Sequence, residues 1–258
     1  MPPVLVRWAR RLVHERVFSG DFATWSEARA RCSGYDSPLI LERVTAAARA
    51  VRDGHAAYER DSVTFAEPAP HWPLLSCLMY AAARTGGRLE VLDFGGSLGS
   101  LYFQHRAWMD HLAAVRWRIV EQQAFVEVGR REFAVGGLSF HLSLEEACAE
   151  GRPSVVLLSS VLPYLEKPHD LLADIVQRGF PFVLIDRTGC VRSGGRDRLL
   201  IQRVPPSIYP ASYPCWFFDY SGLVRHFARD YALRGKFAGF DRADIEADFA
   251  GLFFERAS

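Results

Sequence analysis

From residue 88 onward the chain repeats one rhythm: a short apolar run, a polar turn, a stretch with helical spacing, then another apolar run. Arg88 to Phe94 predicts a strand, Leu101 to Leu112 a helix, and Trp117 to Val120 a second strand ending at Glu121-Gln122. A helix over about 125–133 and a short strand at Leu138 to His141 follow. Ser154 to Ser159 (SVVLLS) holds a continuous apolar run between its two serines, as a strand buried on both faces should. Leu165 to Gln177 reads as helix and Phe180 to Asp186 as the fifth strand. Strands alternating with helices predict an α/β fold with a mostly parallel sheet, right-handed crossovers and helices on both faces.

Beyond Asp186 the rhythm breaks. Residues 189–197 form a polar turn-rich loop, Arg198 to Val204 an extra strand, and 205–218 a proline-stiffened loop carrying Tyr209, Tyr213 and Trp216. A helix (Asp219 to Arg229) and two strands (Tyr231 to Phe237, Leu252 to Arg256) complete the chain. Upstream, residues 4–17 predict a basic helix and residues 24–32 a short one; Ser37-Pro38 opens a longer helix that stops at Asp53-Gly54. Residues 55–65, with Tyr58, Glu59, Arg60 and Asp61 together, lack helical spacing and suit a lid. Trp72 to Ala83 is helix. The chain therefore divides into a helical and lid region over 1–87, with no evident sheet element, and an α/β domain over 88–258 with a substrate loop at about 188–218.

Chemistry enters at Val91-Leu92-Asp93-Phe94-Gly95-Gly96-Ser97-Leu98-Gly99-Ser100. A strand running into such a turn needs glycine for the sharp bend and for close approach of a ligand. The dinucleotide pattern G-x-G-x-x-G fails, because Ser97 and Ser100 occupy its second and third glycine positions. A P-loop fails for want of Gly-Lys-Ser/Thr. In open α/β sheets ligands bind beyond the carboxyl ends of the strands, so Asp93, Glu121, His141, Ser159-Ser160 and Asp186-Arg187 should converge on one rim. Glu121, 28 residues after Asp93, ends the second strand, where a carboxylate can accept from two vicinal ribose hydroxyls.

The acid–spacer–glycine spacing of Asp93, Gly95 and Gly99 resembles motif I of class I S-adenosylmethionine (SAM)-dependent methyltransferases, with Ser97 where a middle glycine is commoner. The phrases SGYDSPLILERV, YERDSVTF, WPLLSCL, VLDFGGSLGSLYFQ, VEQQAFVEVG, SSVLPYLEKP, LIDRTG and VPPSIYPASYPCWFF extend the resemblance over nearly the whole chain. They resemble a bacterial methyltransferase family known by its sequence pattern, sometimes in surface-polysaccharide gene neighbourhoods, with no established substrate. The resemblance implies a Rossmann-like sheet of seven strands, the last antiparallel, with SAM held by Asp93, Gly95, Gly96, Ser97, Gly99, Glu121 and Gln122. Tyr58 and Arg60 are expected to close over the cofactor, Arg60 on the methionine carboxylate, with Ser159 and Ser160 opposite. Asp186 beside Arg187 is the candidate base. His141 and His169 rank lower, one at an edge strand and one at a surface helix. Tyr209, Tyr213 and Trp216 are expected to wall the acceptor site.

Composition narrows the partners. Over 258 residues, 49% hydrophobic, a large core can be buried in one domain. The net charge is +1, and the arginines are scattered, which gives no global signal for nucleic acid. Among 31 basic residues only Lys167 and Lys236 are lysines. Five cysteines without a C-x-x-C pair indicate neither zinc nor a redox motif, and with no signal-like start they favour a reducing cytoplasm. No apolar run approaches a membrane span. The expected activity is SAM-dependent methyl transfer to a small or sugar-like acceptor at oxygen or nitrogen. A non-catalytic SAM-fold regulator is the alternative, and a nicotinamide oxidoreductase the less favoured one. Oligomeric state is left open.

Overall fold

The computed structural model describes residues 17–34, 38–205 and 210–257. The expected basic helix up to residue 16, Ser37 and Tyr209 lie outside them. In chain order the elements are β1 (Phe18–Phe22), α1 (Trp25–Arg29), α2 (Pro38–Arg52), β2 (Tyr58–Arg60), β3 (Val63–Phe65), α3 (Trp72–Arg84), β4 (Arg88–Phe94), α4 (Ser100–Met109) and β5 (Ala114–Val120). There follow α5 (Gln123–Glu132), β6 (Leu138–His141), α6 (Leu144–Cys148), β7 (Val155–Ser159), a 3-10 turn (Leu162–Tyr164), α7 (Pro168–Arg178) and β8 (Phe182–Val191). The chain closes with β9 (Arg198–Arg203), β10 (Ser212–Phe217), α8 (Tyr220–Phe227), β11 (Tyr231–Ala238) and β12 (Ala247–Arg256).

The central sheet has the order β11-β12-β8-β7-β4-β5-β6. Its pairs from β8 to β6 are parallel, and β12 runs antiparallel to both of its neighbours. Period-two alternation sends Val91, Val155, Leu157 and Leu184 to one face, where α2, α3, α4 and α5 pack. Leu92, Val156, Leu158 and Ile185 go to the other, against α6, α7 and α8. The uniformly apolar strand sequences are therefore those of a sheet covered on both sides. Helix ends follow local chemistry: Asp219 caps α8 through the Gly222 N–H at 2.8 Å, and α7 runs from Pro168 to a left-handed Gly179 (φ 64°).

Four expectations need correction. The N-terminal region does contain sheet: β1 pairs antiparallel with β9, and β9 with β10, in a second sheet β1-β9-β10. FSGDF has no alternation to announce it, and its partner lies about 180 residues away. The edge ring of Phe18 on Phe217, centroids 4.9 Å apart, ties this sheet together. Residues 212–217 are strand rather than loop; Pro214 fits because β10 is an edge strand. Residues 58–65, in the region expected to hold no sheet element, are a hairpin, turning through Asp61 (φ 52°) and Ser62 (φ 66°), the two left-handed residues of a tight primed turn. Finally, β8 continues past Asp186 to Val191 because β12 pairs with Thr188, Gly189, Cys190 and Val191; residues 189–191 are therefore sheet rather than turn.

Candidate functional site

At β4 the sheet changes its direction of growth: β5 and β6 follow on one side, β7 and β8 on the other. A crevice at such a switch point is where open α/β sheets bind ligands. The turn after β4 fills it with backbone. Gly95 (φ 74°), Ser97 (φ 55°) and Gly99 (φ 94°) are left-handed, and a Cβ on Gly95 would lie 2.5 Å from Val161 Cγ2. One on Gly96 would lie 2.5 Å from the Asp93 carboxyl carbon, so the turn rests directly on that acid. Asp93 is 1% exposed and accepts from Trp117 Nε1 at 3.0 Å. Burial pushes its pKa up to about 7, against the Trp117 hydrogen bond and with some help from the Glu121 charge.

Glu121 stands at the end of β5 against the same turn. Its Oε1 accepts from the Ser97 N–H at 3.3 Å, and Oε2 from the Gln122 N–H at 2.8 Å. Burial raises its pKa, and those two amides oppose the rise. Gln122 is the N-cap residue of α5, and its side chain makes no capping bond. Glu59, to which the sequence assigns no separate role, docks the hairpin onto this region. It is 4% exposed, takes a hydrogen bond from Ser100 Oγ at the start of α4, and accepts from the Ser62 N–H at 3.3 Å. Burial raises its pKa as well.

The second half of the rim is made of side chains. Ser159 of β7 lies in register with Asp186 of β8, and its Oγ donates to Asp186 Oδ2 at 3.0 Å. The Ser160 N–H (φ 55°) donates to the Asp186 carbonyl at 3.0 Å. Asp186 itself is fully buried, and its Oδ1 meets His71 Nε2 at 3.1 Å. The His71 backbone N–H in turn donates to His105 Nε2 at 3.0 Å, while His105 Nδ1 donates to the Leu101 carbonyl at 2.8 Å. Burial lowers the His105 pKa to about 4, which keeps that ring neutral and able to accept.

Arg187 (φ 49°) donates to Asp61 at 2.8 Å and to Asp241 at 2.8 Å, so it clasps the hairpin turn to the loop between β11 and β12. Arg60 stacks on Phe240, 4.1 Å from its centroid, and among the described residues no carboxylate pairs with it. Tyr58 is buried and stacked on Phe65 at 4.5 Å. Tyr213 meets Tyr164 edge-on at 5.2 Å, and Trp216 donates to the Leu165 carbonyl at 3.1 Å while stacking on Trp25. Both therefore belong to the β9–β10 sheet and its packing.

Two histidines lie elsewhere. His141 Nε2 bonds Ser139 at 2.9 Å, while its Nδ1 is buried with no hydrogen-bond partner among the described residues, 3.9 Å from Glu146 Oε1. His169 sits in a separate open groove of about 440 Å³, bonded to Asp197 at 2.6 Å and His226 at 2.8 Å. Sequence reasoning missed His71 and Glu59. His71 precedes the Trp72-Pro73 helix start by one residue, and nothing local marks it as reaching β8.

Numbered along the chain, the strands of the central sheet read 3-2-1-4-5-7-6 with the seventh reversed. Together with the glycine turn at the switch point, this is the class I methyltransferase fold. No protein-family model matches the chain, and no curated protein does. Solved structures similar to it include magnesium protoporphyrin IX methyltransferase (ChlM) from Synechocystis PCC 6803 with bound S-adenosylhomocysteine, at 11% identity and TM-score 0.49, covering 85% of this chain and 98% of that one. The N-terminal domain of EvdMO1 with S-adenosylhomocysteine bound is 13% identical, with TM-score 0.46, covering 81% of this chain and 97% of that one. The glycopeptide N-methyltransferase MtfA with SAM is 13% identical, with TM-score 0.47, covering 70% and 92% respectively.

Proposed function

We propose that the chain binds SAM over the Gly95–Gly99 turn and transfers its methyl group to a small-molecule or sugar-like acceptor at oxygen or nitrogen. The observation that carries this reading is Glu121, a carboxylate at the end of β5 within 3.3 Å of the Ser97 amide. A carboxylate there suits vicinal ribose hydroxyls, and Gly95 and Gly96 leave backbone where any Cβ would collide. Asp93, Gly95, Gly96, Ser97, Gly99, Glu121 and Gln122 would hold the nucleoside and methionine portions. Arg60, lacking a carboxylate partner among the described residues, would take the methionine carboxylate, and Tyr58 would set its hairpin. Ser159 and Ser160 would face the other end.

When bound, SAM supplies a methyl group already activated on a sulfonium. The chain therefore mainly aligns the acceptor and excludes water. Tyr164 and Phe240, beside the Arg187 clasp, would form the aromatic wall; Tyr213 supports Tyr164 from behind, and Trp216 anchors the turn at Leu165. A nicotinamide site is disfavoured by Ser97 and Ser100 in the glycine positions and by reversed β12 inserted beside β8.

Calorimetry with SAM, S-adenosylhomocysteine and NAD tests the reading. Binding of the first two and not the third is expected. Loss of a charge-assisted hydrogen bond costs roughly 1.5 to 3 kcal/mol, so Glu121→Ala should weaken S-adenosylhomocysteine about 10-fold to 150-fold. A folded Glu121→Ala chain with unchanged affinity removes the ribose assignment. Methyl release on an acceptor panel separates an enzyme from a binding protein.

A further inference from the structure

We propose that His71 is the group that takes the acceptor's proton, with Asp186 as its positioning partner, a role that rests on the methyl-transfer reading above. Asp186, the carboxylate expected from the strand ending to act as base, is fully buried. Both of its oxygens are taken, one by Ser159 Oγ and one by His71 Nε2. With no exposed surface, it cannot itself meet an acceptor. His71 extends it outward.

The ring's orientation follows from its neighbours. A carboxylate accepts and does not donate, so the hydrogen of the neutral ring sits on Nε2 and the lone pair on Nδ1. Nδ1 has no hydrogen-bond partner among the described residues. The side chain as a whole is 8% exposed, against 0% for Asp186, so the ring lies nearer the surface of the rim than the carboxylate does. Phe237 and Phe240 meet the ring edge-on at 5.8 Å and 5.3 Å and hold its plane. From behind, the backbone N–H is fixed on His105, a neutral acceptor on α4. The charged groups facing this ring are Asp186 on β8 and, across Phe240, Arg60 and Arg187 with its partners Asp61 and Asp241, while His105 is uncharged. Since α4 follows the glycine turn and Asp186 is in register with Ser159, His71 bridges the two halves of the rim.

The step balances as follows. A lone pair on the acceptor oxygen or nitrogen forms the new bond to the methyl carbon. The carbon–sulfur bond breaks with its electron pair going to sulfur, giving the neutral thioether. The acceptor's proton passes to His71 Nδ1, and the resulting imidazolium lies against the Asp186 carboxylate.

The test uses the full chain labelled with ¹⁵N-histidine. With S-adenosylhomocysteine bound, the ring nitrogen shifts should report the Nε2–H tautomer for His71, and Asp186→Asn should remove that preference. With SAM bound, the S-methyl protons should show a nuclear Overhauser effect to the His71 ring. His71→Gln should bind S-adenosylhomocysteine within about 3-fold of the unaltered chain, as expected for a group outside the cofactor contacts. A proton on Nδ1, no contact between ring and S-methyl, or a loss of affinity beyond 10-fold in His71→Gln each overturns the proposal. If the unaltered chain fails to bind S-adenosylhomocysteine at all, the methyl-transfer reading falls and takes this one with it. Binding together with the wrong tautomer sinks His71 alone.

Discussion

The two halves of the rim are built from different materials. Over β4 and β5 the contacts are backbone: left-handed glycines packed on Asp93 and Val161, and peptide N–H groups aimed at Glu121. Over β7 and β8 they are side chains from separate segments, namely His71, Asp186, Arg187, Asp61 and Asp241. Backbone packed this closely has no alternative arrangement. An ion pair whose carboxylate is 57% exposed, as Asp61 is, exchanges readily for water. The first half is therefore the rigid part of the rim, and the second the part whose contacts can exchange.

The strongest way to break this contrast is Gly95→Val. Its Cβ would meet Val161 at 2.5 Å with φ at +74°, and left-handed strain in a β-branched residue adds roughly 1 to 3 kcal/mol. Binding of S-adenosylhomocysteine should fall by more than about 100-fold by calorimetry; wild-type affinity would mean that the turn is not rigid. Arg187→Ala should act on the other half alone. Losing hydrogen bonds to two carboxylates costs about 1.5 to 3 kcal/mol, at the lower end here because Asp61 is solvated. Hydrogen exchange over residues 58–65 should accelerate, while cofactor affinity stays within a few-fold. Equal loss of affinity would show that the clasp is part of the cofactor site.

Asp93 sharpens the comparison through pH. Its folded pKa, pushed up to about 7 by burial against the Trp117 hydrogen bond, lies above the unfolded value of 3.8. Between those values the folded state holds a proton that the unfolded state has released. Stability of the ligand-free chain should thus fall as pH rises from about 4 to about 7, by up to about 1.4 kcal/mol per unit from this group. Asp93→Asn, which keeps an acceptor for Trp117, should flatten that slope in denaturant titrations, and an unchanged slope would place its origin elsewhere. The smallest effect is expected from Ser97→Gly. Serine at φ 55° carries strain of about 1 kcal/mol or more, partly offset by the freer unfolded chain of a glycine. A gain of about 0.5 kcal/mol in thermal unfolding should result; a loss would mean that the Ser97 side chain itself supports the turn.

The rhythm of apolar runs was enough to predict the parallel core, because a sheet buried on both faces writes itself as continuous hydrophobic strands. Asp93, Gly95 and Gly99 were legible because strand, turn and helix start are consecutive in the chain, so spacing is geometry there. Glu121 was legible as a strand end in the same alternation. The second half was not. Asp186 was visible as a strand terminus, yet β8 runs on to Val191 because β12, from a remote segment, pairs with it. β1 carries no period-two signal and exists through β9, about 180 residues on. His71 looks like any residue before a helix until the fold sets it 3.1 Å from Asp186, across 115 positions of sequence. The sequence by itself determined the layered α/β architecture and the glycine turn, since both follow from local periodicity and backbone sterics. Only the tertiary structure decided which acid is buried, which histidine reaches it and which arginine holds the hairpin, because those contacts join segments whose separation no local pattern encodes.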